Sequence, residues 1–187
     1  MTEQRIVGKG VERVDARAKV MGQTIYAGDI RLPGMHYGKI VFSPHPRARV
    51  LGIDCSAAEA MPGVRKVITA RDLPGSNLYG YEVAHRPVLV PIGGETRYVG
   101  DAVAMVVAET QELACQAAAA VSVRYDVLQP LTSPAQAMEP GAHLIHSGSP
   151  GNRCCHRQFS KGDVESGFRA AEVIVEETYD TPRQEQA

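Results

Sequence analysis

Residues 103–125 constrain this chain more than any other stretch. Val103–Ala108 is a continuous apolar run of strand length, the pattern of a strand buried on both faces. Thr110 is a good N-cap for a helix after it. Leu113, Ala114, Ala117, Ala118 and Val121 then recur on one helical face. That face is rich in alanine, so the helix can lie close against a sheet. Next, Val121, Val123 and Tyr125 alternate with Ser122, Arg124 and Asp126, the period of a half-buried strand.

A second strand–helix–strand unit precedes it. Arg49–Asp54 reads as a strand, and Ser56 opens a short helix with Glu59 placed to complete a capping box. Pro62-Gly63 stops that helix, and Val64–Thr69 is the next strand. The two units share no sequence repeat, and together they point to an α+β or α/β fold. Tyr37–Phe42 is a further strand, followed by Ser43-Pro44-His45-Pro46, whose prolines exclude a central strand. Residues 71–96 have weak periodicity and read as an irregular excursion over the surface.

The flanks are less regular. Residues 1–35 read as an extended N-terminal arm, with a short strand near Thr24–Ala27 and a turn at Leu32-Pro33-Gly34. Ser133-Pro134-Ala135-Gln136 is a helix start, with Ser as cap, Pro in the first turn and Gln reaching back. A loop over 140–161 is rich in Gly, Pro and Ser. Asp163 is placed to cap a last helix containing Phe168, and Glu172–Tyr179 reads as a terminal strand with Val173, Val175 and Tyr179 on one face.

Composition narrows the function classes. At 187 residues the chain is one domain or two small ones. Its 20 basic and 21 acidic residues give a net charge of −1, which argues against a nucleic-acid partner. No apolar run reaches the roughly 18 residues that would span a bilayer. Met1–Gly10 is polar and lacks the apolar stretch of a signal peptide, so the expected location is cytoplasmic. The 4 cysteines show no disulfide spacing, and Cys55 and Cys115, beside apolar helical segments, are expected as buried thiols.

Few constellations could carry chemistry. Gly8-Lys9-Gly10 has Arg13 where a dinucleotide fingerprint needs its third glycine, and no strand precedes it. His143, His146, Cys154, Cys155 and His156 are the candidate zinc ligands. Adjacent cysteines point apart in extended chain, and the C-x2-C knuckle is absent, so the set is a poor tetrahedral site. No Gly-x-Ser-x-Gly elbow occurs. Glu176 and Glu177 are neighbours on a strand and face opposite sides, so they cannot share a site. Arg47-Ala48-Arg49 and Arg65-Lys66 suit surface or partner contacts. The residues by themselves define no catalytic set.

An ordered series of motifs does resemble a known family. Val7-Gly8-Lys9-Gly10-Val11-Glu12-Arg13-Val14-Asp15 and Lys19-Val20-Met21-Gly22-Gln23-Thr24-Ile25-Tyr26-Ala27-Gly28-Asp29-Ile30 open it. Gly34-Met35-His36-Tyr37-Gly38-Lys39-Ile40, Ser43-Pro44-His45-Pro46-Arg47-Ala48, Pro62-Gly63-Val64 and Asp72-Leu73-Pro74-Gly75 continue it. Arg97-Tyr98-Val99-Gly100-Asp101-Ala102-Val103-Ala104, Val123-Arg124-Tyr125-Asp126, Gly151-Asn152 and Lys161-Gly162-Asp163-Val164 complete it. In this order they resemble the N-terminal α/β-hammerhead domain of the molybdopterin-binding large subunit of xanthine dehydrogenases and aldehyde oxidases.

The resemblance implies an α+β fold, a mixed sheet with flanking short helices. It implies three segments: the arm at 1–35, a hammerhead core at 36–140, and a loop, short helix and strand at 141–187 leading to molybdenum-binding domains. The parent activity it implies is hydroxylation of purines, other N-heterocycles or aldehydes with water as oxygen source. A molybdopterin cofactor, 2Fe-2S clusters and FAD are expected in the full assembly, and none in this chain. Implied partners are the C-terminal molybdenum-binding domains and the iron–sulfur and FAD subunits or domains, with self-association of the free chain. No catalytic residue of the family falls on this sequence, and Glu185 does not match the context of the family's general base. The alternatives are a stand-alone protein-binding module or a zinc-binding domain.

Overall fold

The computed structural model describes residues 8–80, 84–182 and 184–185, so Met1–Val7 of the arm and Arg183 lie outside the described residues. The chain divides into two compact units, Met1–Pro130 and Leu131–Ala187.

In the first unit the strands are β1 (Tyr37–Phe42), β2 (Ala48–Asp54), β3 (Val64–Thr69), β4 (Leu78–Tyr79), β5 (Arg86–Pro87), β6 (Glu95–Thr96), β7 (Ala102–Ala108) and β8 (Ser122–Val127). Its helices are α1 (Ala16–Val20), α2 (Ser56–Glu59) and α3 (Gln111–Ala120). One sheet runs β1-β7-β3, a second β6-β2-β8, and β4 pairs with β5. Every pairing among the described residues is antiparallel. The α+β class with short flanking helices holds, but the strands divide among small antiparallel sheets instead of joining one mixed sheet. The two strand–helix–strand units explain this. β2-α2-β3 leaves the second sheet and ends in the first, while β7-α3-β8 does the reverse. The Cys55–Gly63 link is too short to carry the chain back along a parallel neighbour. The units therefore pair with each other, β3 on β7 and β2 on β8.

Strand β7 is apolar because both of its faces are covered. Ala104 and Val106 pack with Val67 of β3, Ala58 of α2, Ala117 of α3 and Val121. Val103, pointing the other way, packs with Val50 of β2 and Val90. Helix α3 starts where expected, with Thr110 Oγ1 accepting from the Leu113 amide at 3.2 Å. It buries Ala114 and Ala117. Cys115 is exposed, against expectation, because one residue past Ala114 the helix has turned about 100° from the buried stripe. Cys55 is half-buried. Gly63 is required where α2 gives way to β3. Its φ is +89°, and a Cβ there would stand 2.8 Å from Leu113 Cδ2.

Three local expectations are corrected. Ser56 does not cap α2: the Asp54 carboxylate accepts from the Ser56 amide at 3.0 Å and hydroxyl at 2.7 Å, and no box forms with Glu59. A carboxylate two residues upstream is the stronger acceptor. Thr24–Ala27 is not a strand. Asp29 accepts from the Tyr26 amide at 2.9 Å and closes a 3-10 turn at Ala27–Asp29, and the arm also carries α1, which buries nothing. Residues 71–96 are not a surface excursion, since Leu89, Val90 and Thr96 are buried. Asn77 brings that segment in. Its amide donates to the Leu89 carbonyl at 2.7 Å and accepts from the Leu89 amide at 3.0 Å, which imitates a strand ladder. Within this segment Tyr81–Val83 lie outside the described residues.

The second unit holds α4 (Pro134–Met138), a 3-10 turn at Pro150–Asn152, and α5 (Val164–Ala170). Ser133 caps α4, accepting from the Gln136 amide at 3.2 Å, while the Gln136 side chain reaches one residue further, to Thr132. Asp163 caps α5 through the Ser166 amide. Glu172–Tyr179 is not a strand here. A strand is completed by a hydrogen-bonded neighbour, and this segment has no ladder partner among the described residues.

Two substitutions test the core. Val106→Ala should cost about 1–3 kcal/mol by opening a cavity beside β7. Ala117→Leu should cost about 1–3 kcal/mol by forcing α3 off the sheet. Denaturant midpoints of the purified chain measure both.

Candidate functional site

The motif residues converge on backbone junctions. Ser43-Pro44-His45-Pro46 follows β1, and Arg97–Asp101 precedes β7. The Ser43 amide donates to the Asp101 carbonyl at 2.8 Å, and the Gly100 amide donates to the Ser43 carbonyl at 2.9 Å. Asp101, buried, turns its Oδ2 back onto the Arg97 amide at 2.6 Å. Gly100 has φ +99°, a conformation that only glycine adopts without strain. Thr96, fully buried, accepts from the Ala48 amide through Oγ1 at 2.9 Å and donates to the His45 carbonyl at 3.3 Å. Tyr125 meets the His45 ring edge-on with centroids 5.0 Å apart, and burial raises its phenol pKa. Two chain segments about fifty residues apart are stapled together here, and the Thr96 and Asp101 side chains both bond to backbone.

Charged motifs are likewise satisfied within the first unit. Glu95 is gripped by Arg49 at 2.9 Å and by Arg47 at 3.2 Å, and Arg47 also donates to the Gln129 carbonyl at 3.0 Å. Arg49 first, and Arg47 with it, hold the Glu95 carboxyl below its ordinary range. Arg65 pairs with Glu109 at 2.6 Å, and Lys66 with Asp72 at 3.2 Å. The basic pairs of the sequence are therefore engaged by intramolecular carboxylates, with Arg47 and Arg49 sharing Glu95.

One cavity of about 350 Å³ lies in the first unit, lined by Ile53, Cys55, Thr69, Ala70, Arg71, Asn77, Pro91 and Ile92. Its chemistry is poor. Asn77 is spent on Leu89, and burial pushes the Cys55 thiol up, away from the nucleophilic thiolate. No histidine lines it to serve as a base.

The zinc candidates lie in the second unit. Cys154, Cys155 and His156 are exposed, and His143 and His146 are half-buried. Among the described residues no three His, Cys, Asp or Glu side chains come together to hold a metal. The loop is organised by Asn152, which the sequence presents only as part of a motif. Its amide donates to the Ala137 and His143 carbonyls, both at 2.9 Å, and accepts from the Ile145 amide at 2.8 Å. Its φ of +55° places it in the left-handed region, which asparagine tolerates better than most residues. Asn77 and Glu95 also escape sequence reasoning, because their partners are distant along the chain.

This geometry defines small antiparallel sheets whose junctions are closed by Ser43, Gly100 and Asp101. Residues 21–129 match the family model "Aldehyde oxidase and xanthine dehydrogenase, a/b hammerhead domain", and the chain belongs to that family. It is 42% identical over 172 residues to a probable xanthine dehydrogenase subunit of Bacillus subtilis, covering 92% of this chain and 23% of the relative. It is 33% identical to the nicotinate dehydrogenase large molybdopterin subunit of Eubacterium barkeri, covering 97% of this chain and 42% of that one. The aldehyde oxidoreductase from Desulfovibrio gigas superposes with a TM-score of 0.74 at 29% identity, over 86% of this chain and 19% of that chain. The chain thus spans less than half the length of these relatives.

Asp72 gives a pH test. Its carboxylate accepts from the Thr69 amide and hydroxyl, both at 2.9 Å, and pairs with Lys66, which lowers its pKa from 3.8 to about 2. The folded group titrates below the unfolded one, so its contribution is complete above pH 3.8 and is lost as pH falls toward about 2. Asp72→Asn should lower stability at neutral pH and flatten that acid limb, as read by thermal melts across the range.

Proposed function

We propose that this chain is the structural hammerhead domain of a xanthine-dehydrogenase-like molybdenum hydroxylase. The parent reaction is hydroxylation of a purine, another N-heterocycle or an aldehyde, with water as oxygen source. In this reading residues 36–140 form the domain core and residues 141–187 lead toward the molybdenum-binding domains. The other partners are the iron–sulfur and FAD components, and the location is cytoplasmic. Among the described residues no helix is long and apolar enough to cross a membrane.

The single observation carrying this reading is where the motif residues point. Ser43, Gly100, Asp101, Asn152 and Asp163 all serve backbone closure or capping. Among the described residues no three His, Cys, Asp or Glu side chains come together in the way a protein-ligated iron–sulfur cluster would require. In this reading catalysis belongs to other parts of the assembly. Uncovered apolar side chains favour docking. Val14, Val20 and Ile25 on the arm, and Val173, Val175 and Tyr179 near the other end, are each more than three-quarters exposed. Patches of this kind mark interaction surfaces.

Coexpression with the remaining part of the Bacillus subtilis relative tests this. The expected result is a stable complex on size exclusion, lost when Val173 and Val175 are both changed to Asp. If the unaltered chain folds but elutes alone, the docking role is wrong.

A further inference from the structure

We propose that the cavity lined by Ile53, Cys55 and Arg71 is a binding site for a small amphipathic monocarboxylate. Its volume of about 350 Å³ is at the low end for ligand pockets, which suits a compact molecule. Ile53, Ala70, Pro91 and Ile92 give it an apolar wall. Ile92 is 60% exposed, so part of that wall is open to a ligand. The cavity offers neither an ionised thiol nor a histidine base, so it is suited to binding and not to reaction.

Arg71 selects the charge. Of the cations on or beside β3, Arg65 pairs with Glu109 and Lys66 with Asp72. Arg71 has no hydrogen bond or ion pair among the described residues, and it lines the cavity. It sits in the 3-10 turn Ala70–Asp72, which Asp72 closes by accepting from the Thr69 amide and hydroxyl. The rest of the wall is also fixed. Asn77 is bonded to Leu89 in both directions, and the Gly93 and Gly94 amides donate to the Val50 and Pro91 carbonyls. A preformed wall costs little to order on binding. A guanidinium presented from a fixed turn can hold a carboxylate by paired hydrogen bonds.

Nearby acids limit the ligand to one negative charge. Burial and then Glu59 raise the Cys55 thiol, Arg71 lowers it, and Asp54 and Asp72 raise it again. None of these carboxylates lines the cavity, and Asp54 and Asp72 are already bonded to Ser56 and Thr69. A second anionic group would lie on the apolar wall and within their field, so a dianion is disfavoured.

Octanoate is the probe, titrated into the intact 187-residue chain with labelled isoleucine and threonine methyl groups and followed by NMR. The expected result is saturable binding of one octanoate per chain, shifting the Ile53, Thr69 and Ile92 methyls. Octanol, which lacks the charge-assisted bonds, and octanedioate should each bind about tenfold or more weakly. Hexanoate should lose up to about fourfold for each CH2 removed. Arg71→Gln should bring octanoate to the level of octanol, and Ile92→Asp should also weaken it; unchanged core methyls show that each variant is folded. Absence of these shifts at millimolar octanoate, or shifts confined to other methyls, overturns the proposal. So does undiminished binding by folded Arg71→Gln chains, or octanol binding as tightly as octanoate, the behaviour of a slot for a partner's apolar side chain.

Discussion

Strand β7 has a hydrogen-bonded neighbour on each edge and an apolar layer on each face. A strand in that position can expose no polar side chain without an unsatisfied group, which is why Val103–Ala108 is apolar without interruption. Its alternation divides the work. Ala104 and Val106 accept the alanine faces of α2 and α3, and Val103 accepts Val50 and Val90. The alanines matter because they let the α3 backbone approach the sheet, so that Val67 and Val121 close the remaining space. Position 63 favours glycine because its φ of +89° lies where other residues are strained, and Leu113 of α3 packs close against it.

From β7 the logic extends to the motifs. The turn before β7 is tied to the turn after β1 through Ser43, Gly100 and Asp101, and Thr96 ties β6 to the start of β2. Buried backbone groups at such junctions need partners, and the motif side chains provide those that the ladders leave unmet. The ordered motifs of this chain identify its family, and the motif groups described here serve backbone junctions.

The first unit's core is small, and the described part of its arm adds no buried residue to it. Among the described residues, helix α1 and the arm around it bury no side chain, and Glu172–Tyr179 keeps its apolar alternation with no ladder to join. Exposed apolar patterns of this kind support the proposed docking role. That is the physical basis for reading the chain as a scaffold that acts through what covers it.

The sequence by itself determined the elements set by local pattern. Strands β1 and β3 fall where their apolar periodicity puts them, and β7, α3 and the Thr110, Ser133 and Asp163 caps follow from neighbours within a turn. It also carried the family, because motif order survives in one dimension. Tertiary structure alone decided the rest. That β2 and β8 share a sheet apart from β3 and β7 depends on pairings across long stretches of chain. That residues 71–96 enter the core depends on Asn77 finding Leu89, and that Glu95 is held by Arg47 and Arg49 depends on side chains brought together only by folding. Periodicity reports which face of an element is buried. It is silent on which distant backbone or charge will satisfy a polar group, since that partner is fixed by the packed arrangement and not by spacing along the chain.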